Sequence, residues 1–190
     1  MEPRELLDFL GMIETLKTNA RHAMTRGGVP ETVAAHSWRL AVMAMLIAPE
    51  AEGVDGDKLI RMCLIHDFGE AVTGDIPSFL KSADDERAED QALARLLTRL
   101  PGARRDELEA LFCEMRELQT REARLYKALD KLEAVIQHNE GDIATWIPLE
   151  HTLNLDYGEE NAAEFPFLKA LRALMRADTE KKIEEAKALL

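Results

Sequence analysis

The stretch "CLIHDFGEAVTGDIP", residues 63–77, opens as the last turns of an apolar helix. It then sets His66, Asp67, Glu70 and Asp75 into a bend punctuated by Gly69 and Gly74. Burying carboxylates without partners is costly, so these groups are either solvated loop residues or are gathered round a cation. The rest of the chain decides between the two.

Working outward from the bend, the helical period dominates and no clean two-residue alternation appears. The segment ending at His66 or Asp67 starts after "GVDGD", with Asp55 or Asp57 available as its cap. Before it, a helix is expected from about residue 31 to 47, closed by Pro49, and a first helix over 5–17. "TRGGVP" (25–30) breaks the chain between those two. After the bend and "DIPSFLK", further helices are expected over 84–100, 104–117, 121–139, 161–176 and 179–189. The runs "SADDERAED" and "DTEKKIEEAK" read as solvated helix faces. The fold class is all-α, a single-domain helical bundle.

Composition narrows the function. At 190 residues and 46% hydrophobic content, the chain can bury one good core, so residues 1–190 form one domain. A formal net charge of −12 argues against a nucleic-acid polymer as partner, yet leaves room for a small phosphorylated substrate in one cationic pocket. No apolar run of about 18 residues exists to span a membrane, and "MEPRELLDFL" lacks the layout of a signal peptide. Cys63 and Cys113 stand apart and read as buried thiols of a cytoplasmic protein.

Three helices contribute chemistry. In "VAAHSWRLAVMAMLI", Leu40, Met43 and Ile47 follow His36 at offsets that put it on the inward face, so alone it reads as a core histidine. Trp38, Met43 and Met45 read as core as well. Asp130, in "RLYKALDKLEAVIQ", alone reads as a helix-surface aspartate. His66 and Asp67 change the balance, because adjacent residues at a helix end can converge on an ion just beyond the last turn. The free carbonyls there also favour a cation. Two imidazoles and two carboxylates make an N/O site suited to Mn, Fe, Co, Ni or Zn.

The ordered set His36, His66-Asp67 and Asp130, with "HDFGEAVTGDIP" around it, resembles the signature of the HD-domain metal-dependent phosphohydrolase superfamily. The match is best to the branch containing the 5′-deoxynucleotidases. It runs from about Leu16 to Asp130, with a weaker echo in "HNEGDIATWIPLE". The resemblance implies an HD-type bundle whose metal-site core lies at about 16–135, completed by C-terminal helices. It further implies His36, His66, Asp67 and Asp130 as ligands of one divalent ion (Mn, Co, Fe, Ni, Zn or Mg). Glu70 and Asp75 stand at its catalytic positions, and Arg21, His22 and Lys81 at its substrate-facing ones.

His22 departs from the pattern, since the characterised deoxynucleotidases carry tryptophan there to crowd the sugar. Relatives that bind two metals use further histidines between the HD pair and the last aspartate, and this chain has none there. His138 reads as a helix-end hydrogen-bonder or interface residue, and His151 as solvent-exposed. The expected activity is release of phosphate from (deoxy)nucleoside 5′-monophosphates. Hydrolysis of nucleoside triphosphates or alarmones is the alternative within the superfamily, and a non-catalytic metal- or nucleotide-binding module the alternative outside it. A nucleotide is thus the expected small-molecule partner. The mixed apolar faces of the helices after Asp130 make a homodimer the expected assembly.

Overall fold

A computed structural model describes residues 1–188. The chain begins with α1 (Pro3–Ile13) and a short 3-10 turn, then forms the antiparallel pair β1 (Ala20–Met24) and β2 (Pro30–Thr32). Next come α2 (Val33–Ile47), α3 (Gly56–Ile65), the single turn α4 (Glu70–Thr73), α5 (Ala83–Leu97), α6 (Gly102–Glu117) and α7 (Arg121–Glu140). The short helices α8 (Glu150–Asp156) and α9 (Glu159–Ala162) lead into α10 (Pro166–Lys187).

Capping side chains fix where the central helices start. Thr32 accepts from the Ala35 amide at 3.2 Å, Asp55 from Lys58 at 3.1 Å and Thr120 from Ala123 at 3.2 Å. Ser82 and Asp85 cap α5 reciprocally. The core then forms where α2, α3 and α7 meet. Leu40, Leu59, Met62, Leu125, Leu129 and Leu132 are fully buried there, each worth about 1.5–3 kcal/mol of transfer free energy. Leu168 and Met175 of α10 close the same core from the C-terminal side.

Two close approaches set the site. A Cβ at Gly141, just past α7, would meet the Met24 carbonyl at 2.7 Å, so only glycine lets β1 cross the end of that helix. Gln137 fixes the crossing by donating to the same carbonyl at 2.7 Å. At Gly69 a Cβ would lie 2.6 Å from the Glu89 side chain, so glycine also lets the bend after α3 press against α5.

Several expectations need correction. The β1–β2 hairpin was not foreseen: β1 lies between the expected first helix and the break, and β2 spans the end of the break and the expected start of the next helix; such short strands carry too little alternation to be seen. Trp38 is 65% exposed and Met45 54% exposed, because α2 is apolar on every side and its period does not mark the inner face. Cys113 is exposed as well, lying off the Leu111–Phe112–Met115 stripe that α6 buries. The last two expected helices are one, α10. Thr179 does not cap a break: its hydroxyl donates within the helix to the Met175 carbonyl at 3.0 Å. The expected end of that segment at residue 189 lies outside the described residues.

Candidate metal centre

His36 sits one turn into α2, His66 ends α3, Asp67 follows it, and Asp130 lies midway along α7. The packing of these three helices draws the four side chains together. His66 Nε2 lies 2.9 Å from Asp67 Oδ2, 3.2 Å from His36 Nε2 and 3.7 Å from Asp130 Oδ1. His36 Nε2 lies 3.3 Å from Asp130 Oδ1 and 4.0 Å from Asp67 Oδ2. Donors about 2.1 Å from a common ion stand roughly 3.0–3.4 Å apart at neighbouring positions and farther apart across it. His36, His66 and Asp67 fit that frame, and Asp130 Oδ1 stands 3.3 and 3.7 Å from the two imidazoles.

The hydrogen bonds behind the rings make the same point. His36 Nδ1 donates to the Glu133 carboxylate, and His66 Nδ1 donates to the Cys63 carbonyl at 3.0 Å. Neutral rings so fixed turn two Nε2 lone pairs, flanked by two carboxylates, on one point. Only positive charge satisfies such a cluster. Without a metal a proton supplies it: burial and Arg21 act to lower His36, but Asp130 and Glu133 push it up to about 10.

Glu133 is fully buried, and its other oxygen accepts from Arg39 Nε at 2.5 Å. Sequence reasoning missed it, although it lies one turn beyond Asp130 on the same helix. Glu133→Gln leaves the ring's partner without charge, and should weaken divalent-cation binding about 10–100-fold. Competition against a chelating dye measures this; unchanged affinity would show that Glu133 does not orient the site.

Arg21, on β1, reaches from the hairpin to the centre. Its Nη1 lies 3.5 Å from Asp67 and 3.7 Å from Asp75, and its Nε lies 3.3 Å from Glu31. Those carboxylates outweigh burial and keep the guanidinium charged. Glu70 is buried, its backbone carbonyl held by Asn19 Nδ2 at 2.7 Å. Burial first, then the charges of Asp67, Asp75 and Glu89, push its carboxyl up to about 9. Burial likewise pushes Glu31 up to about 7. Lys81 pairs with Glu89, and Lys127 with Asp130 at 2.9 Å.

These shifts share one sign in the metal-free protein. Glu70 and Glu31 ionise near 4.5 when unfolded but hold their protons to about 9 and about 7 when folded, so they cost stability progressively across those windows. His36 contributes stability in full below 6.5 and loses it as pH rises toward about 10. The metal-free protein should therefore lose about 5 °C or more of Tm between pH 6.5 and 9, with much of that restored by a saturating divalent cation. Differential scanning fluorimetry reads this directly, and a flat or rising Tm would contradict it.

A cavity of ≈ 750 Å³ opens over the centre, lined by Arg21, His22, Asp67, Glu70, Asp75 and Lys81 among others. Of the residues expected from the sequence, Arg21, His22, Asp67, Glu70, Asp75, Lys81 and Asp130 share this chamber, while His36 and His66 do not line it. Arg26 and Arg39 do not line it; both pair with Glu140, outside the chamber. His138 and Glu150 do line it, which sequence reasoning did not foresee. His151 is half-buried rather than exposed, its ring edge-on to Trp146 at 5.4 Å.

Comparison with known proteins gives a consistent picture. Residues 13–172 match the family model described as HD domain. The human 5′-deoxynucleotidase HDDC2 is 29% identical over 191 residues, covering 97% of this chain and 90% of its own length. The Dictyostelium discoideum 5′-deoxynucleotidase HDDC2 is 33% identical over 141 residues, covering 69% of this chain and 74% of its own. Among solved structures, a predicted metal-dependent phosphohydrolase from Magnetospirillum magnetotacticum MS-1 aligns with a TM-score of 0.78 at 30% identity, covering 96% of both chains. A conserved hypothetical protein from Pyrococcus furiosus aligns with a TM-score of 0.69 at 27% identity, over 92% of this chain and 99% of that one.

Proposed function

The chain belongs to the HD-domain family, and on that premise we propose that it is a metal-dependent phosphohydrolase releasing phosphate from nucleoside 5′-monophosphates. The observation that carries this reading is the acceptor cluster of His36, His66, Asp67 and Asp130, whose two carboxylates share one cavity with Arg21 and Glu70. Relatives named as 5′-deoxynucleotidases over most of this chain's length point the same way.

His36, His66, Asp67 and Asp130 would hold one divalent ion, which would supply charge to polarise a phosphate oxygen and acidify water. The chain's own groups do the rest. Arg21 offers a planar fork to the phosphate oxygens, with Asp75 holding that fork in place. Glu70 takes the proton of the attacking water at Oε2, which has no partner among the described residues. In the in-line displacement the new P–O bond forms as the P–O5′ bond breaks, and the nucleoside leaves. Lys81 lines the cavity wall, its charge already paired with Glu89.

Monophosphates suit the chamber better than longer chains. Lys81 and Lys127 are already paired with carboxylates, and Arg21 is surrounded by three, so little free positive charge remains for a triphosphate. A phosphate-release screen of nucleoside mono-, di- and triphosphates with Mn, Co, Mg and Zn tests the reading. Release from monophosphates supports it; exclusive action on triphosphates would replace it with the alternative.

The same reading covers the whole protein. Residues 1–190 act as one domain, supported by a core continuous from Leu40 to Met175. No described helix is long and apolar enough to cross a membrane, and a nucleotide substrate with free cysteines fits the cytoplasm. Assembly is proposed as a homodimer, supported by Trp38, Met45 and Leu46, which α2 exposes together. Light scattering should give twice the chain mass, with Trp38→Glu shifting it toward one chain; a monomeric native protein would refute the pairing.

A further inference from the structure

Glu70 is carried by a very short piece of helix. α4 is a single turn with no side-chain cap, bounded by Gly69 and by Gly74, whose φ is 76°. One turn makes too few hydrogen bonds to offset the ordering of its backbone, so it keeps its shape only where neighbours hold it. The side chain adds no anchor at its tip: Oε2 of Glu70 has no partner among the described residues. Where the carboxylate points is therefore decided by what grips the backbone of this turn.

That grip comes from the 3-10 turn Glu14–Lys17 and the residues just after it. Asn19 Nδ2 donates to the Glu70 carbonyl at 2.7 Å, and Thr15 Oγ1 donates to the Ala71 carbonyl at 2.9 Å. The Glu70 carbonyl also accepts the Gly74 amide at 2.9 Å, so Asn19 holds the acceptor of the bond that closes the turn. From the other side, Gly69 lies against Glu89 of α5. Asn19 is itself fixed through its main chain. Its amide donates to the Thr15 carbonyl at 2.9 Å, and its carbonyl accepts from Val33, the first residue of α2, at 3.0 Å. His36 lies three residues further along α2, and Arg21 lies two residues beyond Asn19 on β1. One residue thus ties the turn of Glu70 to the helix that supplies a proposed ligand and to the strand that supplies the phosphate fork.

We propose that Asn19 is a positioning residue for Glu70. It does not line the cavity; it acts by holding the α4 backbone so that Glu70 Oε2 meets the attacking water. The inference rests on the proposed hydrolase reading and gives a part in it to a residue outside the chamber.

The test is a double-mutant cycle on kcat, with Asn19→Leu and Glu70→Gln alone and together. Leucine keeps the branched shape of asparagine and removes the donor. Asn19→Leu alone should lower kcat about 10-fold, short of the roughly 10²-fold that a 1 Å misplacement can cost, with KM and divalent-cation affinity within about twofold of native. In the Glu70→Gln background the same substitution should cost less than about twofold, because the group it positions can no longer take a proton. Equal losses in the two backgrounds, or a native kcat in Asn19→Leu, would overturn the proposal. Amide hydrogen exchange gives a second readout that needs no turnover. Asn19→Leu should speed exchange at Gly74 about 3–10-fold, the worth of one hydrogen bond, and leave the amides of α7 at native rates. Native protection at Gly74 would overturn the proposal as well. Faster exchange at Gly74, in a protein whose native form releases phosphate from no nucleotide, would uphold the hold on α4 and overturn the hydrolase reading instead.

Discussion

Asp67→Asn should reduce phosphate release by roughly 10³-fold or more while leaving the helical fold in place. The carboxylate stands 2.9 Å from His66 Nε2 and 3.5 Å from Arg21 Nη1, so it serves both the cation and the phosphate clamp. Arg21 and the two imidazoles hold it ionised well below the usual carboxylate range, despite its burial. A carboxamide is nearly the same size but brings no charge. Losing several kcal/mol of charge stabilisation at a tenfold per 1.36 kcal/mol gives the stated loss. The measurement is kcat at saturating metal, with circular dichroism as the control for folding. A variant that keeps a tenth of native turnover would remove Asp67 from the centre.

Glu70→Gln should cost about 10²–10⁴-fold in kcat with metal content unchanged. Glutamine preserves the shape and the backbone anchor to Asn19, and removes only the ability to take a proton. The same substitution separates two roles. If Glu70 handles the proton, the variant also loses the acidic limb of the pH–rate profile; if it merely packs, both the rate and the profile stay native. Cation binding near Asp67 cancels part of the repulsion that raises Glu70, so that limb should lie below the metal-free value of about 9.

How much of this was legible in the chain differs from residue to residue. His36 and Asp130 gave no local sign, one reading alone as a core histidine and the other as a surface aspartate; only the ordered set with His66 and Asp67, and its family resemblance, singled them out. The bend at Gly69 and Gly74 was readable too, since glycines mark where a helix cannot continue. Glu133 and Glu150 were not. A glutamate inside or opening a helix looks like a solvated face, and only the approach of α2 and β1, fixed by distant packing, turns each inward. Trp38 and Met45 failed for the opposite reason: a helix apolar on every side carries no local sign of which side is covered. The hairpin that delivers Arg21 escaped notice because its strands are short and its seat against α7 is made by Gln137 and Gly141, more than a hundred residues downstream.

That dependence on distant packing also explains the geometry's internal consistency. Glu133 holds His36 from α7, the helix that carries Asp130, so one helix positions two of the four proposed ligands. Hairpin and helix end meet at Gly141, so that close approach helps to place the strand that carries Arg21.

The most direct test is an anomalous-scattering crystal structure of the protein grown with manganese or cobalt. The account requires one ion per chain, with His36 Nε2, His66 Nε2 and one oxygen each of Asp67 and Asp130 at about 2.0–2.4 Å. An anomalous peak held instead by Glu31, His36 and Glu133, or none within reach of His66 and Asp130, would contradict it.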